Sequence, residues 1–220
     1  MSEQKKLEQL LQHGKISRRE FLARTSALGL TAAMLPVLLS FPTKAAAAAP
    51  KKGGVLRMGL GHGGTTDSLD PATQNNAFTG VLLLSLSNAL VEIGPDGNAV
   101  PEIAESWEHT PDVKTWRFKI RKGVEFHNGK KLGLNDVIAS LNHHRSAETK
   151  SPVKKLFEPI QEIKADDNDT VVFKLTEPNV DFPYLLADIH VTMLPVKGND
   201  VDWQSGIGTG AYKLNKFEPG

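Results

Sequence analysis

Between residues 115 and 120 the chain reads "TWRFKI", and its apolar and charged positions alternate. Trp116, Phe118 and Ile120 share one side, while Arg117 and Lys119 take the other. Successive side chains of a strand point to opposite faces, so this spacing predicts a half-buried strand. A second rhythm follows. Leu134, Val137, Ile138 and Leu141 recur at i, i+3, i+4 and i+7, which is one face of an amphipathic helix. "VVFKL" at 171–175, behind the polar turn "ADDND", predicts another strand, "FPYLLADI" a short helix and "HVTMLP" a strand. Nearer the start, "GGVLRMGL" at 53–60 reads as a strand bounded by glycines. "AFTGVLLLSLSNAL" at 77–90 is long and apolar enough for a buried helix. "PEIAESW" predicts a short helical turn leading into Trp107, and "GTGAYKLNKF" turns into a last strand. "GPDG" at 94–97 is a turn with proline at its second position, and Asn128-Gly129 is a hairpin signal. Strands and helices mixed with hairpins indicate α+β or mixed α/β architecture rather than a repeated βαβ array. A strand running into "EPG" ordinarily leads onward, so the chain is expected to be the front portion of a longer one.

The first 49 residues follow a different logic. A polar stretch, "MSEQKKLEQLLQHGKI", precedes Ser17-Arg18-Arg19-Glu20-Phe21-Leu22, then a mostly apolar run at 25–41, then Lys44 and "AAAAAP". A basic region, an apolar region and small residues at the end make an export signal. The pattern S-R-R-x-F-L, met at Ser17, Arg18, Arg19, Phe21 and Leu22, moves the reading to the twin-arginine type. A membrane span is the competing reading, but the run falls short of the ~20 apolar residues a span needs. Gly29 and Pro36 also interrupt it. Cleavage is expected within 45–49, leaving a soluble, periplasmic product. The twin-arginine translocase carries folded cargo, so the body is expected to fold before export.

Composition narrows the chemistry. With 26 basic and 25 acidic residues in 220, the chain lacks the basic excess of a nucleic-acid binder. It has no cysteine, so disulfides, thiolate metal sites, a cysteine nucleophile and a lipid anchor on cysteine are excluded. Gly59, Gly61 and Gly64 imitate a dinucleotide fingerprint, but that motif needs a helix opening at its third glycine. "TTDSLDP" follows instead, so a flexible turn is the better reading, and "GIGTGAYKL" fails the same test. Asp166, Asn168 and Glu177 fall at calcium-loop positions, yet Val171 stands where the loop needs glycine, so a hairpin turn is expected. His143 and His144 are adjacent on a helix, point about 100° apart and read as a solvated helix end. His127 reads as a hairpin residue. No nucleophile sits in a recognisable motif, and no metal or cofactor is implied.

From Gly53 onward the order of motifs resembles one family. "GGVLRMGL", "SLDPA", "ALVEIGPDGNAVPEIAESWE", "WRFKIRKGVEFHNGKKL", "NDVIASL", "VVFKLTEP" and "GTGAYKLNKFEPG" are similar, in sequence and order, to extracellular solute-binding protein family 5. These are substrate-binding components of ABC importers for oligopeptides, dipeptides, nickel complexes and related solutes. The resemblance implies a type II-like periplasmic-binding-protein first lobe carrying an inserted extra domain. Residues 50–86 would begin the core lobe, 87–194 form the insert and 195–220 return to the core, with the second lobe missing. It implies a small-molecule or peptide ligand, and ABC permease subunits with their ATPases as partners. It places ligand contacts after Leu69-Asp70-Pro71, at Gln74, Asn75, Asn76 and Ala77, although these amides could equally cap the following helix. A second contact falls at Val153, where valine replaces an aromatic residue and a stacking contact is lost. A third falls near His190 and Val191, where some members carry a basic residue facing an anionic solute; the residue pattern alone makes His190 a satisfied surface histidine. Gly133 stands where the helix at 134 usually has a Thr or Ser cap, a change worth a few tenths of a kcal/mol. The alternatives are an exported cofactor-dependent enzyme, or a sensor or chaperone module built on the same binding fold.

Overall fold

The computed structural model describes residues 3–13, 15–27 and 53–219, and the chain divides into two compact units, 1–57 and 58–220. In the first, α1 (Glu3–Gln12) and α2 (Arg18–Ala27) bury Leu7, Ile16 and Phe21 against Leu10 and Leu11. The Ser17 hydroxyl accepts from the Glu20 amide at 3.1 Å, so the first residue of the twin-arginine motif caps α2. Phe21 is buried, whereas Arg19 and Leu22 are exposed. The apolar run and the alanine-rich stretch expected to carry cleavage lie mostly outside the described residues. Among the described residues no helix is long and apolar enough to cross a membrane.

The second unit is built on the alternating segment. Residues Thr115–Ile120 form β4, central in an antiparallel sheet with β3 (Ala104–His109), β5 (Ile160–Ala165) and β6 (Thr170–Leu175), in the order β3-β4-β6-β5. Trp116 stands opposite Phe173, and Phe118 opposite Val171. The apolar face of the sheet carries Phe118 and Phe173, edge to face at 5.3 Å, and Phe182 packs on Phe173 at 5.0 Å. All three are essentially fully buried, each worth about 1.5–3 kcal/mol of hydrophobic transfer. Val137 and Leu141 of α4 (Leu134–His143) close the same core, and the short helix Phe182–Leu185 supplies Phe182. The helix opens on Gly133 without a side-chain cap, but the Asp136 carboxylate accepts from the Gly133 amide at 2.9 Å. The opposite face of the sheet is laced with ion pairs, Arg117 with Asp166 and Lys119 with Glu105 among them.

Around this core, β1 (Val91–Ile93) and β2 (Ala99–Pro101) pair across the 94–97 turn. Short β7 (Val196–Lys197) and β8 (Asp200–Val201) form a second hairpin. The turn before β6 is a hairpin, as its amide at Asp166 donates to Thr170.

Several expectations need correction. "PEIAESW" does not form a helical turn; it enters β3, because the exposed edge of β4 requires a partner and Trp107 aligns with Phe118. Residues 53–60 form no strand. Val55 and Leu56 are 84% and 78% exposed, and no neighbouring chain is hydrogen-bonded to them among the described residues. Residues 191–194 are buried yet form no ladder. There the Met193 amide donates to the backbone carbonyl of Asn88 and the Leu194 amide to the Ser140 hydroxyl, so one isolated carbonyl and one side chain take the bonds a second strand would take. The helix α3 (Ala77–Leu86) ends short of residue 90, and Val81 and Leu84 on it remain exposed rather than buried.

The last expected strand is replaced by a close crossing. Gly210 donates to the Leu86 carbonyl, and Tyr212 to that of Ser85, so this segment runs along the C-terminal end of α3. A Cβ at Gly208 or Gly210 would overlap backbone atoms of Leu86 or Ser85, which explains the glycine cluster without any phosphate. His127 lies in its hairpin as expected. It also clasps the crossing, with ring nitrogens on the Gly210 carbonyl and the Gly208 amide.

Candidate functional site

The segment before α3 (Ala77–Leu86) is organised by its own polar side chains. Asp70 caps a one-turn 3₁₀ helix, Pro71–Thr73, by accepting from the Ala72 amide at 2.8 Å. Proline at the first position presets the backbone for this turn. Asn76 then caps α3, its Oδ1 accepting from the Thr79 amide at 3.0 Å, while its Nδ2 donates to Asp67. Gln74 is buried, and its amide nitrogen donates to the Asn76 carbonyl at 2.7 Å. Gly80 leaves room for it, since a Cβ there would come within 2.8 Å of that nitrogen.

A depression of about 660 Å³ opens over this turn. Gln74, Asn75, Asn76, Ala77 and His190 all line it, so five residues expected from two distant stretches meet in one wall. Val153 does not. It is 3% exposed and packs in the core, and its neighbour Pro152 takes the place in the wall. The remaining lining is apolar: Gly80, Val81, Leu84 and Ile189. No sequence signal marked these four, because Val81 and Leu84 read as ordinary helix apolar positions and only the missing cover makes them a surface.

The polar groups of the wall are mostly spoken for. His190 donates from Nε2 to the Gln74 carbonyl at 3.2 Å, and its Nδ1 bonds Asp188 at 2.6 Å. It is therefore satisfied, as expected, but only 14% of its side chain is exposed. Burial works against the Asp188 carboxylate, yet hydrogen bonds from the His190 ring and backbone hold it below its ordinary pKa. Asn76 is consumed in capping. The Asn75 oxygen accepts from Asn76, while among the described residues no hydrogen bond engages its side-chain nitrogen. Asn75 is thus the amide left over to meet another molecule.

The adjacent histidines are not a solvated helix end. His144 has 0% exposure, bonds the Ser151 hydroxyl through Nδ1 at 2.7 Å and leaves Nε2 without a hydrogen-bond partner among the described residues. Burial, reinforced by the neighbouring His143, depresses its pKa to about 4. His143 donates from Nε2 to Asp70 at 2.8 Å, and that bond raises its pKa against the opposing effect of burial. The Asp70 partner is a residue 73 positions earlier, which local pattern cannot reveal. A wider depression of about 850 Å³ lies beside this pair, lined by Asp70, Asn142, His143 and Asp200. Among the described residues no group of histidine and acidic side chains is arranged to hold a metal ion.

Comparison with known proteins places this geometry. The family model described as bacterial extracellular solute-binding proteins, family 5 Middle, matches residues 98–220. The Dipeptide-binding protein of Escherichia coli K12 is 32% identical over a match covering 60% of this chain and 30% of that protein. The Periplasmic oligopeptide-binding protein OppA of Haemophilus influenzae is 26% identical, covering 70% of this chain and 33% of its own. Among solved structures, the periplasmic binding protein AgaA from A. tumefaciens R10, in complex with agropinic acid, aligns with a TM-score of 0.63 and 27% identity. That alignment covers 70% of this chain and 32% of AgaA. The chain thus spans about a third of the length of these relatives, all of them named as binding proteins. By the stretch its family model covers and by its fold, the chain belongs to the bacterial extracellular solute-binding proteins of family 5.

Proposed function

We propose that this chain forms part of an exported solute-binding component of an ABC importer, capturing a peptide or similar small solute for a membrane permease and its ATPases. The observation that carries this reading is the meeting of residues 74–77 with His190 around one depression. Its apolar floor and single unengaged amide suit a binding surface, since a cleft of this kind orients a ligand with few polar groups. In this reading 50–86 and 195–220 belong to a core lobe, 87–194 to an insert, and a second lobe closes over the ligand by hinge motion. The twin-arginine motif would deliver the folded protein outside the cytoplasm.

One wall makes only part of the contacts of a closed cleft, so the 220-residue chain should bind weakly. The test is a map of backbone amide chemical shifts as di- and tripeptides are added to millimolar concentration. A Kd near 1 mM corresponds to about −4 kcal/mol, within reach of such a titration. Shifts should cluster at 74–81, at 151 and 153 on either side of Pro152, and at 189–190. Micromolar binding, or shifts confined to another face, would contradict the reading.

A further inference from the structure

Three histidines hold three separate pieces of the cleft wall. His143 bonds Asp70 at the start of the 70–76 turn, His190 bonds the Gln74 carbonyl near its end, and His144 bonds Ser151 beside Pro152. We propose that His143 and His190 are positioning residues that clamp the two ends of the 70–76 turn, so that Asn75 is presented from a fixed backbone. This rests on the cleft being the ligand site.

The turn has little regular structure of its own. Its only regular element is three residues of 3₁₀ helix, a geometry with weak hydrogen bonds that rarely persists in short isolation. Its outward residues, Thr73 and Asn75, are exposed and contribute no packing. Pro71, Ala72 and Gln74 are buried and anchor the turn from within, and the two histidines add restraint at its ends. At the first end a single oxygen, Asp70 Oδ1, accepts both from the Ala72 amide and from His143 Nε2, each at 2.8 Å. The histidine thus fixes the same carboxylate oxygen that caps the turn. Both side chains are largely shielded, 16% and 14% exposed, so the bond is less weakened by solvent than a surface pair. The groups facing the ring are Asp70 from the turn, Asp200 of β8 at 3.7 Å and His144 on its own helix. His143 itself sits in the last turn of α4, which is anchored in the core through Val137 and Leu141.

At the second end the His190 ring is oriented before it reaches the turn. Asp188 Oδ1 accepts from the His190 amide at 2.9 Å and lies 2.6 Å from its Nδ1, while Nε2 lies 3.2 Å from the Gln74 carbonyl; both partners are acceptors, so both bonds are made together by the doubly protonated ring. Gln74 passes the restraint on, because its own amide ties down the Asn76 carbonyl. Ligand would meet a turn already ordered, and would not have to supply the ordering free energy on binding.

The test is amide hydrogen exchange of the ligand-free 220-residue chain at pH 7. His143→Phe should raise exchange at Ala72, Thr73, Thr79 and Gly80 roughly tenfold or more, with the β4 and β6 amides unchanged, as expected for a local opening. His143→Gln, whose amide nitrogen can stand near the place of Nε2, should restore exchange to within about threefold of the parent. His190→Phe should raise exchange at Thr79 and Gly80, whose acceptors are on Asn76, by a similar factor. The clamp is overturned if 72–80 is unaltered in His143→Phe, if β4 and β6 speed up equally, or if Gln rescues no better than Phe. Because no ligand is present, failure here leaves the peptide-shift test of the binding role standing.

Discussion

Acid should unsettle this protein through one buried ring. His144 is fully enclosed among His143, Ser151 and Phe157, and its pKa lies at about 4 rather than 6.5. A folded-state pKa below the unfolded value means that the unfolded chain binds more protons throughout the interval between them. Stability contributed by keeping this ring neutral is therefore intact above pH 6.5 and is lost as pH falls toward 4. A displacement from 6.5 to about 4 integrates to about 2 kcal/mol at pH 5 and about 3 kcal/mol at pH 4. His144→Phe removes the titration while roughly conserving volume. It also removes the unpartnered Nε2, and the Ser151 hydroxyl keeps the Val153 amide at 3.3 Å. Urea unfolding followed by the fluorescence of Trp107, Trp116 and Trp203 at pH 7 and pH 5 reads the difference. The parent should lose about 2 kcal/mol more than the variant over that interval, since acid effects on the carboxylates are common to both. Parallel pH dependences would refute the reasoning and would mean that the ring is solvated or charged in the native state.

Other outcomes follow from the same geometry. Asn75→Ala should weaken peptide binding by up to about tenfold, the worth of one neutral hydrogen bond, and leave urea stability unchanged. Asn76→Ala should do the reverse in part, costing about 0.5–2 kcal/mol of stability through the lost α3 cap, measured by the same unfolding assay. Gly208→Ala should destabilise by about 1–3 kcal/mol or more, because its Cβ meets backbone of Leu86 that no rotamer change can move. Replacing both Arg18 and Arg19 by lysine should leave the protein in the cytoplasmic fraction of cells while unfolding in vitro is unaltered; unchanged export would remove the twin-arginine reading.

Much of the architecture was legible wherever one element's own periodicity carries its burial. Trp116, Phe118 and Ile120 are all buried in β4, and the spacing of Leu134, Val137, Ile138 and Leu141 gives the helix α4. The turns at 94–97 and 166–169 follow from residue chemistry alone. The order of motifs was enough to identify family 5.

Pairing and enclosure were not local properties. Residues 53–60 and 191–194 have the same apolar character, yet the first lies open and the second is buried, and neither makes a ladder. A strand exists only when another backbone takes its hydrogen bonds, and no run of side chains states which backbone that is. The histidines make the same point in chemical terms. Whether His143 and His144 stand in water or in a polar network depends on Asp70 and Ser151, 73 and 7 residues away, and only the tertiary structure brings those partners within bonding distance. Sequence by itself determined which faces are apolar, where the chain turns and which family it joins. The folded structure decided what covers each face, because burial and proton affinity are set by neighbours in space.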